Sequence, residues 1–66
     1  MNEFYKLLVY FKRGEMITRF FLLKKPGITE ELIDKALENG YIVESYNHDK
    51  EIKYTITAKG IDKRDK

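Results

Sequence analysis

Residues 28–42 read ITEELIDKALENGYI. Ile28, Leu32, Ile33, Ala36 and Leu37 recur at helical spacing and form one apolar stripe. Thr29 is placed to cap that helix, and Glu30 and Glu31 occupy its first turn, where the helix dipole favours negative charge. Asn39-Gly40 supplies the C-terminal stop. The chain then enters a β-rich stretch at Tyr41. A capped amphipathic helix that ends in glycine and feeds a strand sets the centre of a small α+β domain. The flanking segments are read outward from it.

Downstream, Tyr41–Tyr46 and Glu51–Thr57 alternate on either side of Asn47-His48-Asp49-Lys50, as the arms of a hairpin do. A turn centred on His48-Asp49 pairs Tyr41 with Ile56, Val43 with Tyr54 and Ser45 with Ile52. All but Ser45 are apolar, so that face is expected to be buried. On the other face Glu44 falls opposite Lys53, a favourable cross-strand pair. Ala58–Lys66 is polar and is expected to fray.

Upstream, Lys24-Lys25-Pro26-Gly27 is a turn, because Pro26 disfavours a helical Lys25 and Gly27 can take positive φ. Residues 15–24, EMITRFFLLK, fit two periods. Met16, Ile17, Phe20, Phe21 and Leu23 suit a helix; Ile17, Thr18, Phe20 and Phe21 would also suit a strand. Short connections to neighbouring helices favour a short helix. Asn2 is a plausible N-cap, Phe4, Leu7, Leu8 and Phe11 follow at helical spacing, and Gly14 can end the run, so a first helix is expected over about 3–13.

Two stretches carry a family resemblance. LIDKALENGYIVE resembles the third helix of a winged helix-turn-helix domain, ending in glycine before an aromatic or aliphatic pair enters the first wing strand. YTITAKG, residues 54–60, resembles the second wing strand followed by a closing Lys-Gly. The resemblance covers roughly residues 15–60. It implies a small α+β winged helix-turn-helix fold: three helices followed by a two-stranded β-hairpin wing. One domain would span 1–60, with a polar C-terminal tail at 61–66. It also implies binding of double-stranded DNA, with the third helix in the major groove and the wing on backbone or minor groove. The corresponding function is a transcriptional regulator of bacterial or phage type.

The charge pattern departs from that family. The chain carries +2 overall, but residues 1–27 carry +4, residues 28–51 carry −5 and residues 52–66 carry +3. The outward positions of the third helix are Glu30, Glu31, Asp34, Lys35 and Glu38. Phosphate affinity comes from Lys and Arg, so this face would be repelled by a duplex. DNA contacts must then come from basic residues elsewhere. The candidates are Arg19, Lys24 and Lys25 before the third helix, Lys50 and Lys53 in the wing, and Lys59, Lys63 and Arg64 after it. They would hold phosphates with little sequence readout. The alternative is a protein-interaction module, such as a phage or mobile-element antagonist or adaptor, using Glu30, Glu31, Asp34 and Glu38 against a basic partner.

Other chemistry is scarce. There is one histidine, His48, and no cysteine, so neither a thiolate metal site nor a nucleophile–base pair is expected, and no enzyme or cofactor is implied. The lack of cysteine suits a reducing cytoplasmic setting. No apolar run approaches the ~20 residues of a membrane span, and neither a span nor a signal peptide is expected. Residues 1–23 are unusually apolar, from Phe4 to Leu23. A third helix and one hairpin cannot cover them all, so a homodimer or a protein partner docking through the first helix is expected.

Overall fold

The computed structural model describes residues 2–46 and 51–65. In chain order the elements are α1 (Tyr5–Leu8), β1 (Ile17–Thr18), α2 (Arg19–Leu23), α3 (Glu30–Glu38), β2 (Ile42–Tyr46), β3 (Ile52–Ile56) and α4 (Ala58–Asp65). The strands form one antiparallel sheet in the order β1-β3-β2. The expected three helices and two-stranded hairpin are therefore corrected: the described residues hold four helices and a three-stranded sheet.

The third strand comes from the ambiguous segment 15–24, which is strand and helix in series. Ile17 pairs with Tyr54 and Thr18 with Lys53, so β1 covers an edge of β3. Thr18 is extended at φ −74°, ψ 152°, and its hydroxyl accepts the Phe21 amide at 3.0 Å. The last residue of the strand is thus the cap of the next helix. Neither single period fits because the backbone changes from one to the other at Thr18.

The fourth helix replaces the expected fraying of Ala58–Lys66 up to Asp65. The Thr57 hydroxyl accepts the Gly60 amide at 3.0 Å and donates toward the Gly40 carbonyl at 2.6 Å, which both caps α4 and ties it to the end of α3. The far end of α4 is held by α1 and its extension. Arg64 Nη1 donates to the Phe11 carbonyl at 2.7 Å, and Asn2 Nδ2 donates to the Lys63 carbonyl at 3.3 Å. Residues 61–65 belong to the same packed unit as the rest.

α1 is shorter than 3–13. Asn2 accepts the Phe4 amide through its side chain at 2.9 Å rather than capping the helix. Beyond it the bonds tighten to a three-residue spacing, with Tyr10 N–H donating to Leu7 and Phe11 N–H to Leu8. The tightened turn carries Phe11 into the core, where it is buried.

α3 matches its expected span. The Thr29 hydroxyl accepts the Leu32 amide at 3.1 Å. At the other end Gly40 has φ +75°, and the Tyr41 amide donates to the Ala36 carbonyl at 3.0 Å, closing the helix with a left-handed residue. Thr29→Ala is expected to cost about 1 kcal/mol, read as a lower urea midpoint with unchanged m-value.

That closing turn also shifts the hairpin. Tyr41 belongs to the helix stop, and its carbonyl accepts the Thr57 amide at 3.0 Å. Ladder pairing therefore starts one residue later, with Ile42 opposite Ile56, Glu44 opposite Tyr54 and Tyr46 opposite Ile52. The expected inner face of β3, Ile52, Tyr54 and Ile56, is retained, but on β2 the inward residue is Ile42, and Val43 is exposed. Glu44 does not face Lys53, which lies opposite Ser45. The turn expected at His48-Asp49 lies outside the described residues.

Leu7, Leu8, Leu22, Ile33, Ile42 and Tyr54 are fully buried at the centre. Each buried aliphatic side chain contributes about 1.5–3 kcal/mol before conformational entropy is subtracted. Phe4 meets the Tyr41 ring edge-on, 4.9 Å between centroids.

Candidate functional site

α3 lies against the core through Leu32, Ile33 and Ala36 and turns Glu30, Glu31, Asp34, Lys35 and Glu38 to the surface. Glu31 forms an ion pair with Lys35 one turn later at 3.6 Å, and Glu30 with Arg19 at 3.0 Å. Among the described residues, Asp34 and Glu38 have no cationic partner. The face is acidic in the folded chain as in the sequence, and half of its acids are uncompensated.

The basic candidates are dispersed. Arg19 is committed to the fold: Nη1 donates to the Tyr54 hydroxyl at 2.7 Å and Nη2 to Glu30 at 3.0 Å. The hydrogen bond it donates to Tyr54 and then that to Glu30 raise its pKa against the opposing effect of burial. The guanidinium thus joins the start of α2, the start of α3 and the central strand, and it has little freedom to meet a phosphate. Lys53 lies on the central strand, opposite Ser45 and Thr18. Lys59 lies on α4 by the end of α3, its ammonium 5.5 Å from the Tyr41 ring centre. Lys63 approaches the same ring at 5.9 Å, and Arg64 is held by Phe11 and Asp65. Lys50 lies outside the described residues.

Lys24 and Lys25 stand apart from these. They follow α2 directly, and each ammonium lies over an aromatic ring: Lys24 is 4.2 Å from the Phe20 centre and Lys25 is 4.3 Å from that of Phe21. Among the described residues neither has a carboxylate partner. A cation over a ring face in this range is attracted by about 0.5–1 kcal/mol at an exposed site.

Those rings mark the feature that reading the sequence missed. Of the five residues of α2 only Leu22 is buried, while Phe20, Phe21 and Leu23 are exposed, Phe20 to 66%. Phe20 and Leu23 line a cleft with Arg19, Glu51 and Ile52. Tyr46, opposite Ile52 on the sheet, is exposed to the same degree as Phe20. Its hydroxyl donates to Glu44, and that bond, with the carboxylate charge, raises the phenol pKa. A second hollow, lined by Tyr10, Met16, Ile17 and Phe21, opens on the other side of α2. The apolar excess of residues 1–23 thus surfaces mainly on α2; around α1 the exposed members are Tyr5 and Val9. The signal was present in FFLL: four successive apolar residues on one short helix point in all directions, and one core can take only some of them.

Among the described residues no group of three His, Cys, Asp or Glu side chains is placed to hold a metal ion, and no helix is long and apolar enough to cross a membrane. Comparison with protein-family models, curated proteins and solved structures finds no match.

Proposed function

We propose that this chain is a protein-docking module on a winged-helix-type scaffold, with the acidic face of α3 and the apolar surface of α2 as its working side. The scaffold reading is supported by the order α2, turn, α3, hairpin, which agrees with the resemblance carried by LIDKALENGYIVE and YTITAKG. The docking reading rests on one observation above all: α3 presents Glu30, Glu31, Asp34 and Glu38 beside a helix that leaves Phe20, Phe21 and Leu23 uncovered. Apolar surface next to one sign of charge fits a protein partner with an apolar centre and a basic rim. Cytoplasmic residence accords with the cysteine-free chain.

A DNA-binding regulator fits this geometry less well. A duplex laid along α3 meets four carboxylates, Arg19 is occupied by Tyr54 and Glu30, and Lys24, Lys53 and Lys59 stand on separate elements. Self-association through the first helix would have Tyr5 and Val9 to work with, a smaller apolar surface than that of α2.

A fluorescence-anisotropy titration with a mixed-sequence duplex across salt concentrations tests the choice. No binding at low salt is expected. Binding whose log K falls steeply with log salt, and which Lys24→Gln with Lys25→Gln abolishes, would overturn the docking reading in favour of phosphate contacts.

A further inference from the structure

We infer that the basic partner of this surface is a second copy of the chain, docked so that α2 of each protomer meets α3 of the other about a two-fold axis. This rests on the docking reading above and identifies its partner. The argument is one of self-complementarity. In a two-fold interface, if surface i touches surface j, then j touches i. The working side carries what such an interface needs. Phe20 and Leu23 supply an exposed apolar centre. Lys24 and Lys25 close the end of α2 with no carboxylate partner among the described residues. Asp34 and Glu38 lie one and two turns along α3 from Glu30, also without a cation.

The two unsatisfied sets belong to adjacent elements: the lysines follow α2, and the acids lie along α3. Glu30 is ion-paired to Arg19, the residue before Phe20, and the stripe Glu30–Asp34–Glu38 spans about 12 Å along α3 at 1.5 Å per residue. The lysines lie at the opposite end of α2, immediately beyond Leu23. In the proposed two-fold arrangement, centred on Phe20 and Leu23, Lys24 and Lys25 of each copy pair with Asp34 and Glu38 of the other. Each protomer's surplus cations then meet its partner's surplus anions, twice per dimer.

Another open surface among the described residues, the outer edge of β2, is less suited to a second copy. Antiparallel pairing of two β2 strands centred on their middle residue sets Glu44 opposite its own copy, and like charges directly opposite are destabilising.

Reciprocal charge reversal tests the inference. One variant carries Lys24→Glu and Lys25→Glu, so that both its surfaces are acidic; a second carries Asp34→Lys and Glu38→Lys, so that both are basic. All four positions lie outside the buried core, and circular dichroism checks that each variant folds. By sedimentation velocity the wild type is expected at twice the 7.9 kDa chain mass, weakening with salt. Each variant alone is expected as a monomer, and their equimolar mixture as a dimer, because every acidic surface then finds a basic one. A third variant, Phe20→Ser, keeps both charge sets and is expected to be monomeric.

A wild type that stays monomeric at every concentration overturns the inference. So does a dimer that survives in either charge variant, or a mixture that does not reassociate. If these fail while the duplex titration stays blank, self-association alone falls and the docking reading remains. Salt-dependent duplex binding that Lys24→Gln with Lys25→Gln abolishes removes both.

Discussion

Gly60→Ala is expected to lower the thermal midpoint of this domain by about 10–20 °C, although it replaces the poorer helix former with the better one. At an exposed helical position the exchange would stabilise the chain by about 1 kcal/mol. Gly60 is instead the point where α4 lies against the end of α3. A β-carbon there would overlap the Tyr41 carbonyl oxygen and come within 2.8 Å of Ile56 Cγ1. The carbonyl is held in place by the Thr57 amide, which donates to it at 3.0 Å. α4 must move away, loosening the bonds from Arg64 to Phe11 and from Asn2 to Lys63 that hold it to the N-terminal segment. Overpacking of this kind costs about 1–3 kcal/mol, and a rigid backbone neighbour puts it at the upper end. Thermal melts of the two proteins read the result. A midpoint unchanged or raised would mean that α4 is not docked as described.

Tyr54→Ala has the larger effect. Tyr54 is fully buried on the central strand, between Ile17 on β1 and Glu44 on β2. Removing a buried aromatic ring costs about 3–5 kcal/mol. A chain of this length has about 3–10 kcal/mol in total. The variant is expected to lose its cooperative urea transition or to keep one close to zero denaturant. Tyr54→Phe separates the ring from the hydroxyl. It leaves the packing intact and removes one acceptor from Arg19, which retains Glu30, so a loss of about 1 kcal/mol is expected. If Tyr54→Phe proved as damaging as Tyr54→Ala, the weight of this position would lie in the Arg19 link and not in the ring.

These two residues also show how legible the chain was. Tyr54 was readable as an inward residue because strand alternation is a local pattern. That its hydroxyl would take up Arg19 was not readable, since the two lie 35 residues apart in the chain. Arg19 therefore looked like a free cation on the sequence and is a tie between three elements in the fold. Gly60 read as the end of the domain. It is the close approach that admits a fourth helix, and only the packing of α4 on Tyr41 gives that glycine its purpose. The hairpin register failed for a related reason. The alternation of 41–46 is weak enough to accept either phase, and the phase was chosen by the helix stop at Gly40-Tyr41 and by the bond from the Thr57 amide to Tyr41.

The sequence by itself determined α3, its two ends and its acidic outward face. Caps, dipole and stripe all act within a dozen residues and require no distant partner. It also determined the inner face of β3 and the turns at Gly14, Gly27 and Gly40, each of which adopts positive φ. The tertiary structure alone decided that Thr18 ends a strand and begins a helix, that β2 pairs one residue late and that α4 is docked. It also decided that Phe20, Phe21 and Leu23 of α2 are left exposed, beside Tyr5 and Val9 around α1. Each of those outcomes depends on which residues far apart in the chain compete for one small core, and that competition is settled by shape, not by local preference.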